Sequence, residues 1–188
     1  LPHESAWRRL VDTGPRLLGL AASHALPAAL LDEALTLLGA TRVLVLIGDA
    51  GALRIAAHRV PRGETPGALL RAITPWIEEA SRTHAAVLRI GPEGDDPVDQ
   101  RGCLLAPALA PPGDEPASPL VGLLYADLDG RDGRWSDIHL DLLRALAAQA
   151  GAALAHRRAL QGPRPAAADR GRTRDQLSAE LSVVSAVQ

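Results

Sequence analysis

The stretch Pro119–Leu160, PLVGLLYADLDGRDGRWSDIHLDLLRALAAQAGAALAHRRAL, decides the fold. Leu120 to Leu128 is an apolar run rich in strand formers, closed by Asp129-Gly130 and Asp132-Gly133, and it reads as a buried strand ending in a tight turn. Ser136 stands where a helix N-cap belongs, and Asp137 follows in the first turn, where the helix dipole favours negative charge. From there Ile138, Leu142, Leu146 and Ala153 form an apolar stripe that Leu143, Ala147 and Leu154 widen into the face of a long helix. Ala147, Ala148, Gly151 and Ala152 are small, so a neighbouring backbone can approach that helix closely.

Upstream, Trp7 to His24 is helix-prone, with Gly14-Pro15 predicted to break or kink it. Pro27 to Leu38 is an amphipathic helix with Gly39 as its C-cap. Arg42–Ile47 and Leu53–Val60 read as strands joined by a turn at Asp49-Ala50-Gly51. Thr65-Pro66 opens a further helix, and Thr74-Pro75 inside its pattern predicts a kink or a restart. Ala86–Ile90 and Gly102–Leu109 read as strands around the acidic loop Gly91 to Gln100, and a Pro-rich loop, Pro111 to Pro119, leads to the organising stretch. Beyond Gln161 the chain reads as a linker, and Arg174 to Gln188 resumes helical spacing with Leu177, Leu181 and Val184 as a seam.

The organising stretch resembles the C-terminal half of a GAF domain, the PAS-like small-molecule sensor module of signalling proteins. The residues that carry the likeness are Gly122-Leu123-Leu124-Tyr125-Ala126-Asp127, Trp135-Ser136-Asp137 and the run Leu142 to Ala150. The likeness is close over Pro119–Leu160 and looser over most of Ala25 to Leu160, where Leu-Gly-Ala-x-Arg before a hairpin and Pro107 in the fourth strand also fit. Pattern and resemblance together predict an α+β fold. It has a central antiparallel sheet of five or six strands, helices on its faces and helical N- and C-terminal extensions. The expected organisation is a lead-in over residues 1–24, a GAF-like sensor domain over 25–161, and a linker with the start of a signalling helix over 162–188.

Composition narrows the function classes. The net charge is −2, which implies no nucleic-acid surface, and every one of the twenty basic residues is Arg. Lys, Asn, Phe and Met are absent, a bias expected of a GC-rich bacterial genome, and a chain beginning with Leu is expected to be an excerpt of a longer protein. Apolar runs are too short for a bilayer span and no signal peptide is legible, so a cytoplasmic location without a membrane partner is expected. The single cysteine, Cys103, leaves no internal disulfide or cysteine-based zinc cluster.

The resemblance implies ligands that these residues then restrict. The family's cyclic-nucleotide signature needs Asn, Lys and Phe, none of which occurs, and Trp135 and His139 stand at two of its positions. A covalent bilin needs a pocket cysteine, whereas Cys103 lies in an apolar strand followed by Leu104. One cysteine cannot supply the catalytic and resolving pair of the methionine-sulfoxide reductases of this family. No His-x-x-x-His pair or glycine-rich phosphate motif occurs, and no nucleophile–base set stands out, so neither a catalytic residue nor a metal ligand nor a cofactor is identified. The ligand-binding candidates are Trp76, His84, Arg89, Arg101 and Tyr125, with Asp96 and Asp99 in the acidic loop between the two arginines. Two readings stay open. One is a non-enzymatic sensor that binds an unknown small molecule and signals to an output domain in the same full-length protein. The other is a ligand-free spacer. Both predict a parallel homodimer through Trp7–Ala22 and Ile138–Leu160.

Overall fold

In a computed structural model, residues 2–49, 51–89, 102–112, 119–128 and 135–161 are described. Among the described residues ten elements follow one another: α1 (Pro2–Gly19), α2 (Leu26–Leu38), β1 (Arg42–Ile47), β2 (Arg54–Arg59), α3 (Pro66–Ala72), α4 (Thr74–Thr83), β3 (Val87–Arg89), β4 (Gly102–Leu109), β5 (Leu120–Leu128) and α5 (Asp137–Gln161). The residues up to Arg157 form one compact unit; of the second, beginning at Arg158, the closing turn of α5 is described. The expected linker and helix over 162–188 lie outside the described residues.

The five strands form an antiparallel sheet in the order β2-β1-β5-β4-β3, so the organising strand β5 is central. Its residues Leu120 to Asp127 are buried, because helices cover both faces and an apolar run needs no alternation there. Side-chain alternation sorts β1, β4 and β5 between two cores. One face packs against α1, α2 and α5 through Val43, Val45, Leu104, Ala106, Leu124 and Ala126. The other packs against α3 and α4 through Leu44, Leu46, Cys103, Leu105, Leu123 and Tyr125.

Close approach on the first face depends on glycine. A Cβ on Gly151 of α5 would lie 2.0 Å from the Leu109 carbonyl oxygen of β4. One on Gly122 of β5 would lie 2.7 Å from the Leu46 carbonyl oxygen and 3.0 Å from Leu154 of α5. Ala147 and Gly151 are therefore used within the chain, while Ala148 points to solvent. Trp135 anchors the start of α5 by donating from Nε1 to the Gly102 carbonyl at 2.8 Å. The Ser136 hydroxyl meets Nδ1 of His139, three residues on, at 2.8 Å, and the Ser136 amide donates to the same nitrogen. The amide bond is one half of a capping box, the N3 side chain reaching back to the N-cap amide, with histidine in the acceptor's place.

Two proline signals resolve differently. Thr74-Pro75 restarts a helix as expected, with Ile73 closing α3 and opening α4. Gly14-Pro15 does not interrupt α1, which is assigned as helix from Pro2 to Gly19. The missing amide deprives only the Val11 carbonyl of its partner, and Val11 and Pro15 are both on the solvent side. The inner side of α1 carries Leu10, Thr13 and Leu17, and here the helix is clamped. Buried Glu33 of α2 accepts from Arg9 at 2.8 and 2.9 Å, from the Thr13 hydroxyl at 3.1 Å, and from Arg16. Gln149 of α5 adds a bond to the Leu10 carbonyl at 2.8 Å.

Candidate functional site

The face under α3 and α4 carries the candidate site, because strand register gathers charged side chains there. Arg89 of β3 pairs with Cys103 of β4, Cys103 with Asp127 of β5, and Asp127 with Arg42 of β1. Residues directly opposite across antiparallel strands share a face, so these four form one transverse row. Its ends, Arg89 and Arg42, are three strand spacings or roughly 14 Å apart. The next row on the same face is Val87, Leu105, Tyr125 and Leu44.

At one end Arg42, Asp127 and Tyr125 form a buried chain of hydrogen bonds. The Tyr125 hydroxyl donates to Asp127 Oδ2 at 2.7 Å, and Arg42 Nη1 donates to Asp127 Oδ1 at 2.9 Å. The other edge of the guanidinium faces the connection between β2 and α3. Nε and Nη2 donate to the two oxygens of Glu64 at 2.6 and 2.5 Å, a bidentate pair. Asp127 is 0% exposed, Arg42 3%, and the Glu64 side chain 33%. The bond from Glu64 first, and then Asp127, hold the Arg42 guanidinium above its ordinary range against the opposing effect of burial. A raised arginine keeps its charge at every pH below its ordinary value.

At the other end, the Arg89 guanidinium lies over the Trp76 ring, 4.7 Å from its centroid, the geometry of a cation–π contact. Its Nη1 is 3.9 Å from the Glu79 carboxylate. Trp76 and Tyr125 belong to the same buried cluster as Ile73, Leu105 and Leu123. His84 is apart from them: it ends α4 in a left-handed conformation with φ 53°, and its side chain is exposed. Of the five candidates, then, Trp76, Arg89 and Tyr125 share this face, His84 sits at the surface of the α4–β3 connection, and Arg101 lies outside the described residues, as do Asp96 and Asp99.

Sequence reasoning missed Arg42, Glu64 and Asp127. A signal existed, since a charged residue at the end of an otherwise buried strand needs a partner, and Arg42 and Asp127 each hold such a position. A groove of about 540 Å³ lies behind the sheet, lined by Ser5, Arg9, Thr36, Gly39 and His139 among others. Among the described residues, no cluster of three His, Cys, Asp or Glu has a metal-binding arrangement, and no helix is long and apolar enough to cross a membrane.

The protein matches the family model of the GAF domain over residues 24–154. Solved structures, GAF domains among them, share its fold at low identity. A GAF domain assigned to a sensor histidine kinase from Pseudomonas syringae pv. tomato is 18% identical, with a TM-score of 0.56 over 84% of this chain and 90% of that one. A methyl-accepting chemotaxis protein, residues 122 to 287, is 13% identical, with a TM-score of 0.61 over 80% of this chain and 99% of that one. The cyanobacteriochrome TePixJ GAF domain is 22% identical, with a TM-score of 0.57 over 75% and 94%. No curated protein matches the sequence. With the family model spanning most of its length, the chain belongs to the GAF domain family.

Proposed function

We propose that the chain is a sensory and regulatory domain of a multidomain bacterial signal-transduction protein, as in a two-component system. It acts in the cytoplasm and is non-enzymatic. It binds a small molecule on the α3–α4 face and relays the change through its terminal helices to an output domain of the same protein. Residues 1–24 serve as the lead-in, 25–161 as the sensor, and 162–188 as linker and start of a signalling helix. The observation that carries this reading is the charged row on that face, where Arg89 over Trp76 and Arg42 beside Tyr125 offer polar recognition within an apolar layer. Trp76, Arg89, Arg101 and Tyr125 are the proposed ligand-binding set, with His84 at its margin. Neither nucleic acid nor membrane is a partner in this reading.

Relay needs an assembly, and the proposed one is a parallel homodimer through α1 and α5. It is supported by Trp7, Val11 and Leu18 of α1 and Ile138 of α5, large apolar side chains exposed on one chain. Ala148→Glu places a charge on the solvent side of α5 without touching the core, and sedimentation is expected to show a dimer become a monomer. A monomer before substitution refutes the assembly. Gly151 cannot serve as the same probe, because its neighbour is the chain's own β4.

A second reading is a ligand-free GAF fold acting as a dimerisation spacer. It is favoured by the complete burial of Ile73, Leu105, Leu123 and Tyr125 under the chain's own side chains. Native mass spectrometry of the protein purified from its host separates the two: a retained small molecule supports the sensor, and a bare dimer supports the spacer. Calorimetry with cyclic AMP and cyclic GMP is expected to show no saturable binding, because the Asn, Lys and Phe of the family's signature are missing.

A further inference from the structure

The two edges of the Arg42 guanidinium are held in different ways. The inner edge is fixed by Asp127, which is fully buried and held in turn by the Tyr125 hydroxyl. The outer edge, Nε with Nη2, presents two parallel donors, the arrangement that matches the two oxygens of a carboxylate. In this structure those oxygens come from Glu64, which belongs to neither the sheet nor a helix but to the connection between β2 and α3.

We propose that the outer edge of Arg42 is the carboxylate-recognition group of the α3–α4 face. Glu64 is its resident occupant, displaced when a small molecule bearing a carboxylate binds. The inference rests on the sensor reading above and names the ligand class for it. Charge balance selects that class. Arg42 and Asp127 together are neutral, and Glu64 supplies one further negative charge beside them. Replacing that carboxylate by another leaves the buried charges as they were. A neutral ligand in its place strips a nearly buried guanidinium of the carboxylate on its outer edge, which is costly.

The local chain suits Glu64 to leave. It follows Gly63, whose φ of +91° is glycine's own region, and its side chain is one-third exposed. It also precedes Thr65, whose hydroxyl caps α3 by accepting from the Ala68 amide at 3.3 Å. Release of Glu64 therefore moves the chain at the first turn of α3, and through Ile73 the start of α4. A binding event at Arg42 becomes a shift of the layer over the sheet. A tethered occupant also competes with any ligand, lowering its apparent affinity by the fraction of time the site is free.

The test compares the whole chain with its Glu64→Ala variant, titrated with malonate and with neutral malonamide at matched ionic strength. Binding is followed by calorimetry and by the Arg42 Nε–H resonance, assigned through bonds. Glu64→Ala is expected to bind malonate at least ~10-fold more tightly than the parent chain, because the competitor is gone. The Arg42 resonance moves with malonate and stays in place with malonamide. Glu64→Gln, which keeps the side-chain size and loses the charge, is expected to lie between the two. Equal malonate affinity in parent and variant, an unmoved Arg42 resonance, or equal binding of malonamide overturns the proposal. A neutral molecule retained by the parent chain overturns it while leaving the sensor reading intact. If the parent retains no ligand and Glu64→Ala still binds malonate at Arg42, the recognition group stands and the sensing role falls.

Discussion

The two faces of the sheet are built on different terms. Behind it, α1, α2 and α5 form a closely fitted layer of Leu and Ala. Gly151 and Gly122 let backbone meet backbone, and Glu33 clamps α1 from below. In front, two short helices, seven and ten residues long, lie over a row in which Arg42, Asp127 and Arg89 interrupt the apolar surface. A tightly packed layer resists displacement because contacts are lost with the first fraction of an ångström. A polar layer can exchange one hydrogen-bond partner for another at smaller net change. The contrast assigns rigidity to the back, where the terminal helices are, and adjustability to the front.

The strongest way to break the contrast is at Gly151. An added methyl would stand 2.0 Å from a main-chain oxygen of β4, and a main-chain atom cannot swing aside as a side chain does. Gly151→Ala is expected to cost about 3 kcal/mol or more in urea unfolding, at the upper end of overpacking effects. A loss below about 1 kcal/mol, nearer the range of ordinary surface changes, contradicts the close fit.

The clamp comes next. Glu33 is buried and takes bonds from Arg9, Thr13 and Arg16, while both arginines are about half exposed and can return to water. Glu33→Gln is expected to lose about 2 kcal/mol, the scale of charged hydrogen bonds at a part-buried site. The loss should concentrate in α1, read as faster amide exchange over Leu10 to Leu17 with little change in β5. Uniform loss of protection through the sheet shows instead that α1 and the back layer unfold as one.

Much of this contrast was legible beforehand, and the missing part has a physical cause. β1, β4 and β5 were read to their observed ends, because buried strands give unbroken apolar runs with sharp polar stops. The α3/α4 restart follows from proline chemistry at Thr74-Pro75, whereas Pro15 does not end α1, since proline on the wet side of a helix costs one carbonyl its partner while the packed side stays intact. The candidate site is legible only in part. Tyr125 and Arg89 are two of the sequence candidates and share the α3–α4 face, whereas Arg42, Glu64 and Asp127 are not among the candidates, because their partnership spans 22 and 85 residues. The register of β1 against β5 brings Arg42 to Asp127, the β2–α3 connection brings Glu64 to Arg42, and no local pattern encodes either.

Tyr125 gives a smaller effect, now on the front face. Tyr125→Phe keeps the ring in the core and removes one donor to Asp127, which retains Arg42. The expected loss is about 1 kcal/mol, the net value of one hydrogen bond. If the polar chain also sets how firmly Arg42 is held, the variant should broaden or shift the Arg42 Nε–H resonance, whereas a change confined to packing would leave that resonance in place.

The smallest effect sharpens the contrast by reversing its sign. Gly67 lies in the first turn of α3, and a Cβ there would meet nothing within 4 Å. Its φ is not in the left-handed range, so alanine fits the backbone as it stands. Gly67→Ala removes conformational freedom from the unfolded chain and adds helix propensity, and is expected to stabilise by about 0.5 kcal/mol. The same chemical change thus destabilises behind the sheet and stabilises in front of it. If Gly67→Ala also weakens malonate binding to the Glu64→Ala chain, the freedom of this first turn belongs to recognition, because Thr65 and Glu64 must move with it. Unchanged binding confines the turn to a structural part.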